Sequence, residues 1–332
     1  MPQIPSRHHP GRHCASTGLC NLANHHGLNW SEAMCFGLGA GLGIWYLHLP
    51  NLSPRRMIHV RSLDLENQFF QSIGHPFKWE QYDDPLESER ALIAVLDRGT
   101  PAILQTDIYD LPYYESKTHF PGHVITVWGY DNTERIFLIS DTERENLLAV
   151  PFENMRRARF GGDHLLKIQG NLFSPRQLKT PDHLSETIRK AIAFNSDRIL
   201  NGSPDLMGVE GLHEGINALT RWKEELATWP QLEDWKWSCR FTYQVIEKRG
   251  SGGGGFRVMY TDFLKEAAGI VPDIQRRGLP EMMAEISLAW RGLAERLKAV
   301  SELDRPDFHA VTHQLQNLER LEADYHLEAK NL

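Results

Sequence analysis

Basic residues are in the minority in this chain. Lys and Arg number 36 against 43 Asp and Glu, a formal net charge of −7. General nucleic-acid binding needs a basic footprint, so that class does not fit, and nothing signals a membrane surface. Long apolar runs are missing as well. The most apolar stretch, around Cys35 to Leu49, is short and broken by glycines and a histidine, so it does not span a bilayer. The four cysteines are too few for a disulfide framework in 332 residues. No charged start followed by an apolar core opens the chain, so the expectation is a cytoplasmic protein without a signal peptide. His8, His9, His13 and Cys14 match no compact metal-ligand spacing, and no metal is expected. GLGAGLG at Gly37 to Gly43 lacks the strand–helix context of a dinucleotide site. Its glycines predict close backbone packing beside a helix that starts at Cys14. Ser31 and Glu32 read as the start of another helix, not as a catalytic acid.

What is there falls into two parts. Residues 1–170 alternate helix and strand signals, 171–180 form a polar linker with Pro175, and 181–332 are strongly helical. In the first part a helix is predicted over 87–98. Strands are predicted over 101–106, 136–139, 146–150 and 164–168. In the second part Thr180 and Pro181 form an N-cap and first-turn pair. Further helices follow over 206–226, 231–248, 257–268, 275–300 and 306–329. The charged, amphipathic run Arg291 to Lys330 is expected to form a packing helix pair or an oligomer interface.

One constellation points to a reaction. Pro10 and Gly11 mark a turn, after which Ala15, Leu19, Leu22 and Ala23 follow at helical spacing, with Gly27 as the stop. Cys14 falls in the first turn, where exposed N–H groups and the helix dipole stabilise a thiolate. Cys20, Cys35 and Cys239 read as packing residues. Gly122 to Asp141 reads as a β-hairpin with a polar turn. A turn centred on Asn132 makes His123 and Asp141 direct cross-strand neighbours, with Cβ atoms ~5 Å apart. A slip of one residue would put them on opposite faces. Cysteine, then histidine, then aspartate is the order of a papain-like thiol acyl-transfer site: nucleophile, base, and orienter of the base.

The matching stretches are HCAS at His13 to Ser16, LNWSEAMCFGLGAGLGIWY at Leu28 to Tyr46, and GHVITVWGYD at Gly122 to Asp131. With IEKRGSGGGGFRVMYTDFLKEAA at Ile246 to Ala268, they make most of the chain resemble the butirosin biosynthesis protein H acyltransferase family. The resemblance implies a papain-like thiol domain that takes an acyl group from an acyl carrier protein thioester and passes it to an amine. It implies no separate cofactor, because the substrate arrives on the carrier's phosphopantetheine. The pattern is similar, more distantly, to bacteriocin-processing cysteine peptidases. Those carry a Gln six residues before the nucleophile, where this chain has His8.

Candidate binding residues lie in two further segments. GSGGGGFR joins two helices, and its Gly252, Gly253 and Arg257, with Tyr260 beyond, read either as a phosphate-holding loop or as a flexible connection. Its lack of a Lys-Ser/Thr ending excludes a nucleotide P-loop. Asp107, Tyr109 and Tyr113 read either as the lining of an acceptor pocket, with Asp107 attracting an amine, or as a structured loop. Arg156, Arg157 and Arg159 read as a docking patch for an acidic carrier or as a solvated helix face. The expected fold class is α+β, a papain-like cysteine domain followed by an all-α domain. The expected function is acyl transfer to an amine. Hydrolysis or cyclisation from the same acyl-enzyme is the alternative, and a non-catalytic binding protein on this fold is a second.

Overall fold

The computed structural model describes residues 3–161, 167–203 and 210–332. In chain order its elements begin with α1 (Cys14–His25), α2 (Glu32–Leu38), β1 (Leu42–His48), β2 (Arg56–Arg61), α3 (Leu65–Ser72) and α4 (Pro85–Asp97). Then come β3 (Ala102–Thr106), β4 (His123–Asp131), β5 (Ile136–Ser140), β6 (Leu148–Pro151), α5 (Phe152–Ala158) and β7 (Leu172–Phe173). The remainder is α6 (Leu184–Asn201), β8 (Leu212–Glu214), α7 (Gly215–Glu225), α8 (Trp235–Glu247), α9 (Arg257–Ala268), α10 (Asp273–Arg276), α11 (Leu279–Ser301) and α12 (His309–Ala329). The protein is therefore mixed α and β, with two antiparallel sheets. Among the described residues no helix is long and apolar enough to cross a membrane.

Two compact units divide the chain: Met1–Cys35 with Phe69–Pro181, and Phe36–Gln68 with Asp182–Leu332. The sequence puts 36–68 in the first domain, and the structure puts it in the second unit. The reason is strand pairing: β1 lies between β2 and β8, with Trp45 opposite Glu214. Sequence distance says nothing of such a pairing, because β8 is only three residues long.

In the first unit a five-stranded sheet runs in the order β6-β5-β4-β3-β7. Its central strand β4 is buried through Tyr130, which explains its near-continuous apolar run. On one side Gly18 of α1 lies against Ile103 and Val124. Leu92, Val95 and Leu96 of α4 share a core with Ile125, Val127, Trp128, Phe137 and Phe152. Each fully buried side chain of this kind contributes ~1.5–3 kcal/mol. Helix α4 starts where its sequence requires: the Asp84 carboxylate accepts from the Glu87 N–H at 2.7 Å, and Pro85 fills the first turn.

The predicted strand over 164–168 falls largely on 164–166, outside the described residues, as does the 206–209 start of the helix predicted over 206–226. The predicted helix start at Thr180 is three residues early, because a turn at 182–183 precedes α6 and His183 takes the N-cap position. The glycines of 37–43 do allow close packing. Within the second unit a Cβ on Gly37 would lie 2.2 Å from the Phe263 ring, and one on Gly43 would lie 2.3 Å from the Arg61 carbonyl oxygen. Helices α11 and α12 pack on each other in this unit.

Candidate active site

The position of Cys14, the expected nucleophile, is built by α1. His13 is the N-cap, its ring Nδ1 accepting from the Ser16 N–H at 3.3 Å, so Cys14 is the first helical residue. Its neighbours Ala15 to Ala23 are buried, whereas Cys14 itself is half-buried. The helix runs along β4 in the same sense. Gly18 meets Val124, and one turn later Asn21 Nδ2 donates to Thr126 Oγ1 at 2.9 Å and to Ser140 Oγ at 3.2 Å. That alignment carries the N-terminal end of α1 to the start of β4, where His123 stands.

The hairpin does not take the expected register. Its turn spans residues 132–135, so Asp131 faces Ile136 and Tyr130 faces Phe137. Continued to the strand ends, that register would put His123 and Asp141 on opposite faces. A β-bulge at Trp128 intervenes: Gly129 faces Leu138 but Val127 faces Ile139. The extra residue restores the parity. Thr126 then faces Ser140, and His123 and Asp141 become diagonal neighbours on one face instead of direct partners.

The side chains close the remaining gap. His123 Nε2 lies 2.9 Å from Asp141 Oδ1 and 3.0 Å from Oδ2. The carboxylate accepts, so this nitrogen carries the proton. The His123 ring also interacts with Cys14, through a hydrogen bond and through the charge of a thiolate there. Burial alone would lower the His123 pKa. The negative charge of a Cys14 thiolate and the hydrogen bonds to Asp141 and Cys14 outweigh it and hold the ring well above its usual value. Burial likewise pushes the Asp141 carboxyl up, yet His123, Tyr113 and Thr142 together hold it below the usual range. The site favours an imidazolium beside a carboxylate.

Residues beyond the expected three complete the group. The Tyr113 hydroxyl donates to Asp141 Oδ2 at 2.6 Å and that of Thr142 to Oδ1 at 3.0 Å. The Tyr114 hydroxyl lies 3.3 Å from His123 Nε2. Burial, then the Asp141 charge, pushes both tyrosines far above their ordinary pKa, so they remain hydroxyl donors. Tyr113, expected as a lining residue, thus holds Asp141 through its hydroxyl. Nothing in the local pattern marked Tyr114 or Thr142, although each adjoins a residue that was singled out.

Glu32 also does more than start α2. Its carboxylate accepts from the N–H groups of Arg12, at 2.9 and 3.1 Å, and of His13, at 2.9 Å. It accepts from the hydroxyls of Ser16 at 2.8 Å and Thr17 at 3.2 Å as well. These donors flank Cys14 on both sides. The Gly11 N–H, in turn, donates to the Thr142 carbonyl at 2.7 Å and ties the segment before Cys14 to the residue after Asp141. His8 is committed elsewhere: Nε2 lies 2.9 Å from the Arg144 carbonyl oxygen and Nδ1 3.2 Å from Asn21 Oδ1.

The other predicted binding residues are placed differently. Asp107 is fully buried and its carboxylate accepts from the Tyr109 and Phe120 N–H groups at 3.0 and 2.9 Å, so it is not an exposed trap for an amine. Tyr109 is 48% exposed and stacks on His119. The arginines are no open patch. Arg156 pairs with Glu89 and Arg157 with Asp110 and Glu153, while buried Arg159 donates to the carbonyls of Ser88 and Gly170. Arg257 belongs to the second unit and is fully buried. It donates to Glu322 Oε1 at 2.8 Å and to the carbonyls of Val60 and Gly255 at 3.0 and 2.7 Å, so it cannot reach a phosphate. Tyr260 is buried too. Gly252 is exposed, but Gly253 is buried with its N–H on Ser251 Oγ, and the Gly254 N–H donates to Glu247. A carboxylate therefore occupies the place expected for an anion. The run Gly252 to Phe256 keeps φ between 56° and 88° throughout, which is why glycine recurs there.

Residues 13–142 match the family model described as Butirosin biosynthesis protein H, N-terminal, and residues 153–328 match the one described as Domain of unknown function (DUF4872). No curated protein matches the chain.

Proposed function

The chain belongs to the butirosin biosynthesis protein H-like family, with a DUF4872 domain as its C-terminal part, and from that premise we propose that it is a cysteine-dependent acyltransferase of antibiotic biosynthesis. The observation that carries the reading is the hydrogen-bonded series Cys14, His123, Asp141 at the start of a helix. The first unit is read as a papain-like thiol domain. The acyl donor is a thioester on the phosphopantetheine arm of an acyl carrier protein, and the acceptor is an amine.

In this mechanism the Cys14 thiolate attacks the thioester carbonyl. N–H groups at the first turn of α1 stabilise the oxyanion that forms. The tetrahedral intermediate expels the carrier thiol, which takes the His123 proton, and the acyl group stays on Cys14. Neutral His123 then assists the incoming amine, and expulsion of Cys14 restores the thiolate–imidazolium pair. Asp141 holds the imidazole in the required tautomer throughout.

Intact-mass analysis after incubation with acyl-carrier-protein thioesters tests the reading. The wild-type chain should gain one acyl mass, lose it on addition of an amine, and release an amide. Cys14→Ala should gain none while keeping the fold. Release by water alone would make the chain a thioesterase, and release as a ring a cyclase. An equal mass gain in Cys14→Ala would overturn Cys14 as the nucleophile.

A further inference from the structure

The residues next to Cys14 are gripped by one carboxylate that the mechanism above does not use. Glu32 opens α2, and its side chain reaches the start of α1. Oε1 accepts the His13 N–H at 2.9 Å, the Ser16 hydroxyl at 2.8 Å and the Thr17 hydroxyl at 3.2 Å. Oε2 accepts the Arg12 N–H at 2.9 Å. Two of these donors precede Cys14 in the chain and two follow it.

The carboxylate is itself held in place. Cys20 Sγ and Asn24 Nδ2, one turn apart on α1, donate to the Trp30 carbonyl at 3.3 and 3.1 Å. The Trp30 N–H donates in return to Asn24 Oδ1 at 2.9 Å. The chain that leaves the far end of α1 is thus fastened back along the same helix two residues before Glu32. Ser31 then starts α2, its hydroxyl accepting from the Met34 N–H at 2.9 Å. Gly11 lies against the carboxylate, where a Cβ would come within 3.0 Å of Glu32 Cδ. Its N–H donates to the Thr142 carbonyl at 2.7 Å. The segment 11–13 is therefore pinned between Glu32 and the residue after Asp141.

The bonds and the charge of Glu32 act on Cys14 in opposite senses. The bonds fix the backbone on both sides of the thiol and so set its direction toward His123, whose imidazolium favours a thiolate. The charge lies at the same helix N-terminus as that thiolate, and like charge disfavours ionisation.

We propose that Glu32 is a positioning residue for Cys14: its hydrogen bonds aim the thiol at His123, while its charge raises the pH at which the thiol ionises. This inference rests on the reading of Cys14 as the nucleophile.

Two variants of the full chain separate bonds from charge. In Glu32→Gln the amide carbonyl can stand in the place of Oε1 and keep His13, Ser16 and Thr17, so that only the Arg12 contact at Oε2 is lost. In Glu32→Leu bonds and charge both go. Alkylation of Cys14 by iodoacetamide is followed against pH by peptide mass analysis. In Glu32→Gln the acidic limb should move to lower pH, with alkylation ~3-fold faster below the limb. In Glu32→Leu it should move to higher pH, with alkylation ~10-fold slower there and far-UV circular dichroism unchanged. A mere clamp on the fold would lower the urea midpoint in both variants and leave both limbs in place, and that result would overturn the proposal. Limbs displaced in the same direction would overturn it as well. If Glu32→Leu does not fold, Glu32→Gln decides alone, and an unmoved or raised limb overturns the proposal. A wild-type limb near that of an ordinary cysteine, at about 8.5, would instead remove the nucleophile reading, and this proposal with it.

Discussion

The Asp141 carboxylate has three hydrogen-bond partners, His123, Tyr113 and Thr142, and replacing it separates orientation from charge. Asp141→Asn keeps the shape but presents an NH2 group to His123 Nε2 in one of its two orientations, which favours the wrong tautomer. Cys14 alkylation by iodoacetamide, followed against pH, should show an acidic limb that reports the thiolate–imidazolium pair. In Asp141→Asn that limb should move to higher pH, because the variant no longer supports the raised His123 pKa that in turn favours the thiolate. An unmoved limb would mean that Asp141 does not act through His123. Arg257 makes the opposite case, a charged residue whose value is structural. It and Glu322 are both fully buried, and the Glu322 carboxyl, despite its burial, is held down to about 2 by Arg257, His326 and Trp290. Arg257→Ala leaves that buried carboxylate without its arginine and should cost ~3–5 kcal/mol in chemical denaturation. A phosphate-binding arginine would show little loss there.

Between elements, the approach of α1 to β4 sets where Cys14 stands. Gly18 makes that approach: a Cβ there would lie 3.1 Å from both Ile103 Cγ2 and Val124 Cγ1. Gly18→Leu should push α1 off the sheet and cost ~1–3 kcal/mol through overpacking. Cys14 alkylation near neutral pH should slow, because the thiolate loses its imidazolium partner, while far-UV circular dichroism stays unchanged. Unaltered alkylation would show that the α1–β4 spacing is not what activates the thiol. The bulge at Trp128 belongs to this scale too. The hydrophobic pattern of β4 and β5 was legible in the sequence, and the pair His123–Asp141 with it. The true turn and the bulge were not, because the displaced turn and the bulge together shift the register by an even number of residues, which leaves the period-2 pattern at the strand ends unchanged.

For the molecule as a whole, the second unit is discontinuous in sequence, and that predicts which fragments fold. Residues 182–332 alone lack β1 and β2, which leaves β8 without its neighbour and Arg257 without the Gly43 and Val60 carbonyls. That fragment should be partly unfolded by circular dichroism and regain structure when residues 36–68 are supplied; independent folding would refute the discontinuity. Stability should also vary with pH in a definite sense. The raised pKa of His123 gives stability that is complete below about 6.5, the unfolded value, and is lost as pH rises toward about 10. Buried His326 has a lowered pKa, chiefly through desolvation, so its contribution is complete above about 6.5 and is lost as pH falls. Asp141 and Glu322, with lowered values, add stability that is lost on acidification below about 4. The midpoint of urea unfolding should therefore peak near neutral pH and decline on both sides. His123→Ala should flatten the alkaline decline.

The sequence by itself determined most elements and the candidate pair His123–Asp141. Helical spacing after Pro10–Gly11 put Cys14 at the start of α1, and β-branched runs drew β3, β4 and β5, because those signals are local. It also supplied Cys14, His123 and Asp141 in the order that the proposed thiol chemistry needs. Only the tertiary structure decided the rest. Glu32 lies 16 residues from Ser16 and Thr142 is 131 residues from Gly11, yet both contacts hold the segment around Cys14. Asp107 and Arg257 looked like binding residues because a charge in a loop is ordinarily solvated. Burial reversed both readings, since a charge withdrawn from water must find its partners inside: Asp107 finds them in its own loop, and Arg257 in Glu322, 65 residues away.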